Sequence, residues 1–433
     1  MELRNGRTIL TIDERTGSIA RLTDSRTGRV HLDACEGGRS DGRLFRVLLP
    51  VPEWSSRYAD SHEQAAPTIT REGGKVLLRW DNLKTRDEPA GVSAETAIEM
   101  PEGSDEVRFT LKIANGGPGP VADILFPWLG GWTGIGGKNK DMMILGAKTS
   151  FHPHSFPFHT GTTYARLHQR ADFGYPLTLY APWVDLSGPG GGISYIVYPA
   201  SPQNGAVSVQ NLAGYGPGLR LAYGWDFPTV IRPGEQWTSP PVGISLHGGD
   251  WKETADRWRA WMETWFVPPA GKRELRESIG FQNVWLRGFD GTPFRGLDSV
   301  PAVAAAGRKY GVNQLCIWDF ITLGNYSKHA DRDLLDYSPE ERSVLSRGLA
   351  QARTEGTNVN ALINFRLGNP NQTLFKKEAH AELIRCFDGS PRMEPYPTNH
   401  FHPLVRPCGF GPSTYILSAC AKSFRARVLR QTR

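Results

Sequence analysis

The sequence predicts a multidomain β plus α/β protein: a large antiparallel β-sandwich, a linker helix, and an incomplete (β/α)8 barrel of about three βα units. Three observations carry this. Residues 1–248 hold short period-2 runs punctuated by Gly, Pro and polar links. Residues 249–277 switch to a tryptophan-rich helical period, and residues 278–433 alternate strand-type with helix-type segments. These three stretches are the expected domains, and a chain of 433 residues has the length for two or three.

The sandwich opens with a meander. TILTI and SIARL are β-type runs joined by Asp13-Glu14-Arg15-Thr16-Gly17, and the same signature returns as Asp24-Ser25-Arg26-Thr27-Gly28. An Asp that opens and a Gly that closes such a link suit a tight turn, the Gly supplying a positive φ. Further alternating runs follow at Leu44–Leu49, Lys75–Trp80, Glu106–Ile113, Gly192–Val197 and Leu219–Gly224. Nothing in residues 1–245 has a helical period.

At Gly249 the pattern changes. Asp250 is placed to cap a helix, with Glu253 in capping-box position. Trp251, Ala255, Trp258, Met262 and Trp265 then share one helical face, predicted to pack against a sheet. Val267-Pro268-Pro269-Ala270-Gly271 ends the helix as a linker. Beyond it, strands are expected at Ile279–Trp285, Gln314–Phe320 and Asn358–Phe365. Helices are expected at Asp298–Lys309, from the Ser338-Pro339-Glu340-Glu341 capping box to about Arg353, and at Ser413–Leu429. Strands alternating with crossover helices imply a parallel sheet. A closed eightfold barrel needs about 250 residues, so this C-terminal part is expected to be a truncated one.

In such a barrel the carboxyl ends of the strands carry the chemistry. Those ends present Trp285 and Arg287, then Trp318 and Asp319, then Asn364 and Arg366. CIWDF is the strongest signal: a tryptophan offers a flat apolar face to a pyranose ring, and the acid beside it accepts hydrogen bonds from sugar hydroxyls. The expected ligand is therefore an oligo- or polysaccharide; the alternative reading is structural, with Trp318 filling the barrel and Asp319 capping a loop turn. Glycoside hydrolysis needs two carboxyl groups across the scissile bond. Asp319 is the one acid at these strand ends, and Asp290 and the Asp331–Asp336 cluster suit a solvated surface, so the catalytic residues stay unassigned.

Other chemistries find little support. His152, His154 and His159, like His400 and His402, lack partners that would complete a metal set, so no metal is expected. Trp132-Thr133-Gly134-Ile135-Gly136-Gly137-Lys138-Asn139 lacks the leading Gly and the Ser/Thr of a phosphate loop, and no cofactor is expected. The net charge of +6 is accounted for by six basic residues after Glu394, so the rest is balanced and a nucleic-acid partner is not expected. No run reaches the ~20 apolar residues of a membrane span. The charged start without an apolar signal region, and five scattered cysteines, lead to a cytoplasmic expectation.

The opening NGRTILTIDERTGSIARLTDSRTG, ILFPWLGGWTGIG at 124–136, TLYAPWVDLSGPGGGISYIVYP, GDWKETADRWRAWMETW, NVWLRGF and QLCIWDF together give a resemblance over nearly the whole chain. The sequence resembles a bacterial glycoside-hydrolase-like family known as a domain of unknown function, which joins a galactose-mutarotase-like sandwich to a TIM-type barrel. Larger clans of α-glycosidases share that architecture and use an acid ending the second strand to hold sugar hydroxyls. The resemblance thus implies that Asp319 binds substrate. It places nucleophile and acid/base on later strands, about the fourth and sixth, which implies an inactive fragment. Two alternatives stand beside hydrolysis: a non-catalytic sugar-binding or scaffold protein, and a mutarotase-type epimerase, which would need a His and Glu pair in the sandwich groove.

Overall fold

The computed structural model describes residues 1–34, 42–49, 57–85, 88–133, 141–147, 156–157, 170–176, 179–201, 203–211, 221–267, 270–271, 273–286, 295–318, 338–361, 389–390, 393–395 and 401–403. It divides into two compact units, Met1–Val267 and Pro268–Arg433.

The first unit is built from antiparallel sheets. A ten-stranded sheet runs in the order 156–157, 142–147, 179–188, 191–197, 242–247, 106–115, 92–99, 75–80 and 68–72, with 236–238 pairing beside 106–115. A six-stranded sheet runs 170–175, 205–211, 221–231, 121–130, 46–49 and 57–60. The N-terminal meander forms a four-stranded sheet of its own. Alternation in the sequence becomes alternation in burial: Val92–Glu99 buries every second residue and leaves the others half-buried. Phe109, Leu111 and Ile113 from the larger sheet, Ile124, Tyr223 and Trp225 from the smaller, and Leu10 and Leu22 from the meander meet in one core. That shared core is what makes the unit a sandwich.

Both expected turns form. The amide of Gly17 donates to the Asp13 carbonyl at 2.7 Å and that of Gly28 to the Asp24 carbonyl at 2.8 Å, with φ of 70° and 71°. The two aspartates do the same local work, each accepting from the amide two residues on, at 3.0 Å from Arg15 and 2.8 Å from Arg26.

The helix Lys252–Glu263 belongs to the first unit and packs on the outer face of the ten-stranded sheet. Its contact face is the predicted one at Trp251, Ala255 and Trp258, the Trp251 ring stacking on that of Trp183 with centroids 6.3 Å apart, and it takes in Trp261 besides. Thr254 is buried, and Ala255, Trp258 and Trp261 pack on Ala181, Trp183, Ile196 and Tyr198, whereas Trp265 is 47% exposed. The helix ends at Glu263, so the predicted stripe runs past its last turn. The capping box does not form either: the Asp250 carboxylate accepts from the Lys252 amide at 2.9 Å, and Glu253 N donates to the Asp250 carbonyl.

In the second unit Gln282–Trp285, Gln314–Trp318 and Asn358–Ala361 form a parallel sheet in sequence order. The crossover helices are Val300–Lys309, entered through a 3-10 turn at Leu297–Ser299, and Pro339–Thr354. The latter begins on the predicted capping box: Ser338 Oγ accepts from Glu341 N at 3.2 Å, and Glu341 Oε2 accepts from Ser338 N at 2.8 Å. Val284, Leu286, Leu315 and Ile317 pack against Val300, Ala304, Leu345 and Ala352 to form its core. The predicted helix Ser413–Leu429 and the strand residues beyond Trp318 and Ala361 lie outside the described residues. No helix among the described residues is long and apolar enough to cross a membrane.

Candidate functional site

Strand parity sorts the parallel sheet into two faces. Val284, Leu286, Leu315 and Ile317 point to the helices, with Val359 packed beside them. Side chains alternate along a strand, so Asn283, Trp285, Gln314, Cys316, Asn358 and Asn360 belong to the opposite face. The register then groups them into rows: Gln314 beside Asn358, then Asn283, Cys316 and Asn360 across all three strands. The last row, at the carboxyl ends, pairs Trp285 with position 318. The two tryptophan positions singled out in the sequence are therefore neighbours, and Trp285 is half-buried. Arg287, Asp319, Asn364 and Arg366 lie outside the described residues, as does the side chain of Trp318. His152, His154, His159 and His400 also lie outside them. Burial pushes the Cys316 thiol up. At the amino end Gln314 Nε2 donates to the Glu274 carbonyl at 3.4 Å.

The sandwich holds two buried polar networks that the sequence reading did not find. His247 Nε2 lies 2.7 Å from Asp185 Oδ2, and both side chains are sealed from solvent. Thr254 reaches down from the helix to donate to the same oxygen at 2.5 Å, and the Ser194 hydroxyl bonds that of Thr254. Nearby, burial drives His31 down to about 4; Asp24 pulls it upward, while Arg29 and His247 add to the decrease. In the second network Glu106 accepts from Tyr198 OH at 2.5 Å and from Arg108 Nε at 2.6 Å. Burial first, and Glu106 next, raise the Tyr198 phenol. Tyr198 in turn meets the Trp261 ring, with centroids 5.2 Å apart.

The first network fastens the helix to the sheet through Thr254, and the second lies within the sheet and meets the helix through the Trp261 ring. A fully buried Asp–His pair cannot touch a sugar, so it does not supply the groove pair that an epimerase needs. One signal was readable: Asp185 interrupts the apolar run APWVDL, and an acid in a buried strand demands partners. Which partners it has depends on a register that joins residues more than 60 positions apart. On the smaller sheet, the Arg46 guanidinium holds Asp60 with two hydrogen bonds, at 2.8 and 2.7 Å. Burial alone would raise the Asp60 carboxyl, but Arg46 and Arg43 outweigh it and hold it below the usual range. Among the described residues no group of three or more His, Cys, Asp or Glu is placed to hold a metal ion.

Neither a family model nor a curated protein sequence matches the chain. Solved structures do match it. The α-N-acetylgalactosaminidase NagBb from Bifidobacterium bifidum matches at a TM-score of 0.64 and 14% identity, over 94% of this chain and 65% of that one. A GH36 α-galactosidase from Geobacillus stearothermophilus matches at 0.51 and 11%, over 98% and 64%. An α-galactosidase from Lactobacillus brevis matches at 0.51 and 10%, over 98% and 62%. The chain thus spans just under two thirds of the length of these glycosidases, and over nearly all of its own length it shares their fold.

Proposed function

We propose that this is a glycoside-hydrolase-like protein that binds a galactose-type sugar at the carboxyl end of its parallel sheet, which we read as part of a (β/α)8 barrel. The observation that carries the proposal is the register of Trp285 with Trp318, which places two aromatic residues side by side at the strand ends of a glycosidase fold. The sugar follows from the neighbours: one has been crystallised with N-acetylgalactosamine and another with 1-deoxygalactonojirimycin.

The roles follow from residue chemistry. An indole packs its apolar face on the C–H face of a pyranose, and Asp319, next after Trp318, accepts hydrogen bonds from the hydroxyls at the ring edge. Arg287, Asn364 and Arg366, which follow the first and third strands, complete the rim. Cleavage needs a second carboxyl group ~5–10 Å from the first, one of the pair held protonated. These strand ends carry Asp319 alone, so they bind without cleaving.

Tryptophan fluorescence during titration with galactose, N-acetylgalactosamine and α-galactosides tests this. A saturable change is expected in the parent chain and its loss in Asp319→Ala. Unchanged affinity in that variant would return Asp319 to a structural role. Release of the aryl group from an aryl α-galactoside would show that cleavage machinery is present after all.

A further inference from the structure

The strand ends are only the last row of a longer polar face. A barrel interior of this kind is normally filled with bulky branched side chains, and parallel strands are normally apolar on both faces. Here the face away from the helices carries Gln314 and Asn358, then Asn283, Cys316 and Asn360, then Trp285. Among the described strand residues it has neither an aliphatic nor a charged side chain. Of these four carboxamides Gln314 is buried, its Nε2 donating to the Glu274 carbonyl, and Asn358 is half-buried; each amide offers both donors and an acceptor. Asn283 and Asn360 are exposed, so this row is open to a ligand.

We propose that Asn283, Cys316 and Asn360 form the floor of the sugar site and determine its specificity for an uncharged polyol. This rests on the reading that the strand ends bind sugar. The row lies two residues below Trp285, about 7 Å along the strand. That is within reach of the hydroxyls of a pyranose held edge-down against the indole. Parallel strands stand ~4.8 Å apart, so the two asparagines flank the central thiol at a spacing of about 10 Å and approach the ring from both sides. Carboxamides donate to one hydroxyl and accept from another, which suits a neutral sugar. They offer no charge to a phosphate, a carboxylate or an amine.

The central thiol supplies a reporter. Iodoacetamide alkylation of the full chain, followed at Cys316 by peptide mass spectrometry with Cys35 and Cys386 as internal references, is measured with and without saturating N-acetylgalactosamine or galactose. Sugar is expected to slow Cys316 at least severalfold, with little change at the references. Asn283→Ala and Asn360→Ala, both at exposed positions, are each expected to weaken binding about five- to tenfold, the worth of one hydrogen bond. If sugar alters tryptophan fluorescence while Cys316 reacts at its former rate, or if all three cysteines slow alike, the floor is wrong and the strand-end site stands. Parent-like affinity in both alanine variants has the same meaning. Absence of any sugar binding overturns both the floor and the strand-end site.

Discussion

Gly17 and Gly28 close the same turn at nearly the same φ, yet a methyl group meets different surroundings at the two positions. At Gly17 an added Cβ would come within 2.3 Å of the Trp80 ring, whereas at Gly28 nothing lies within 4 Å. Gly28→Ala therefore carries the left-handed backbone cost, about 1 kcal/mol, and Gly17→Ala adds the displacement of a buried indole, for a total of about 2–4 kcal/mol. Urea midpoints of the two variants check the ranking, and equal losses would remove the Trp80 contact from the account. The turns were legible in the sequence because Asp and Gly act locally; the Trp80 contact was not, because it is tertiary. His31 gives the pH dependence. Its folded value of about 4 lies below the ordinary 6.5, so between these the unfolded chain takes up a proton that the folded chain refuses. Stability is thus full above pH 6.5 and falls as pH drops, by about 2 kcal/mol at pH 5. His62, lowered by burial and by Arg43, acts in the same direction. Asp24 and Asp60 are lowered, so their contribution is lost only further down, as pH falls through their own folded values. Denaturation of the parent chain at pH 7 and pH 5 should show the drop, and His31→Gln should flatten it. An unchanged slope in that variant would place the dependence elsewhere.

At the scale of elements, sequence signals were reliable where a rule is local and failed where a partner decides. The capping box at Ser338 formed as its residues dictate, since Glu341 is within reach of the cap on any helix. The box at Asp250 did not, because its carboxylate took the Lys252 amide, and the helix is positioned by the sheet beneath it. The amphipathic stripe located that helix, but its rotation is set by Thr254 seated on Asp185 and by Trp258 and Trp261 on Trp183 and Tyr198. Thr254→Val keeps the shape and removes the hydroxyl, leaving the buried Asp185 carboxylate with His247 as its side-chain partner among the described residues. A loss of about 1–3 kcal/mol is expected. Ser338→Ala, at an exposed cap, should cost about 1 kcal/mol. Thermal unfolding of the two variants separates a buried fastening from a surface cap, and a neutral Thr254→Val would mean the helix is held by its tryptophans alone.

Over the whole molecule, the change from period-2 runs to a tryptophan helix to alternating βα segments was enough to read a sandwich joined to a parallel sheet, and the structure has both. Sheet order was not legible, since 106–115 pairs with 242–247 across more than a hundred residues. The candidate site was legible in part. Trp285 and Trp318 could be picked as strand-end residues, but their adjacency, and the amide rows beneath, needed the register of three strands. The fold shared with α-galactosidase-type enzymes supplies the setting, and a fold alone does not confer function. The claim that these strand ends hold a galactose-type sugar is tested most directly by calorimetric titration of N-acetylgalactosamine into the parent chain and into Trp285→Ala. Saturable binding by the parent chain is expected, with a loss of affinity of about tenfold or more in the variant, as befits removal of a stacking face. Equal affinity in the two proteins, or no heat of binding in either, would contradict it.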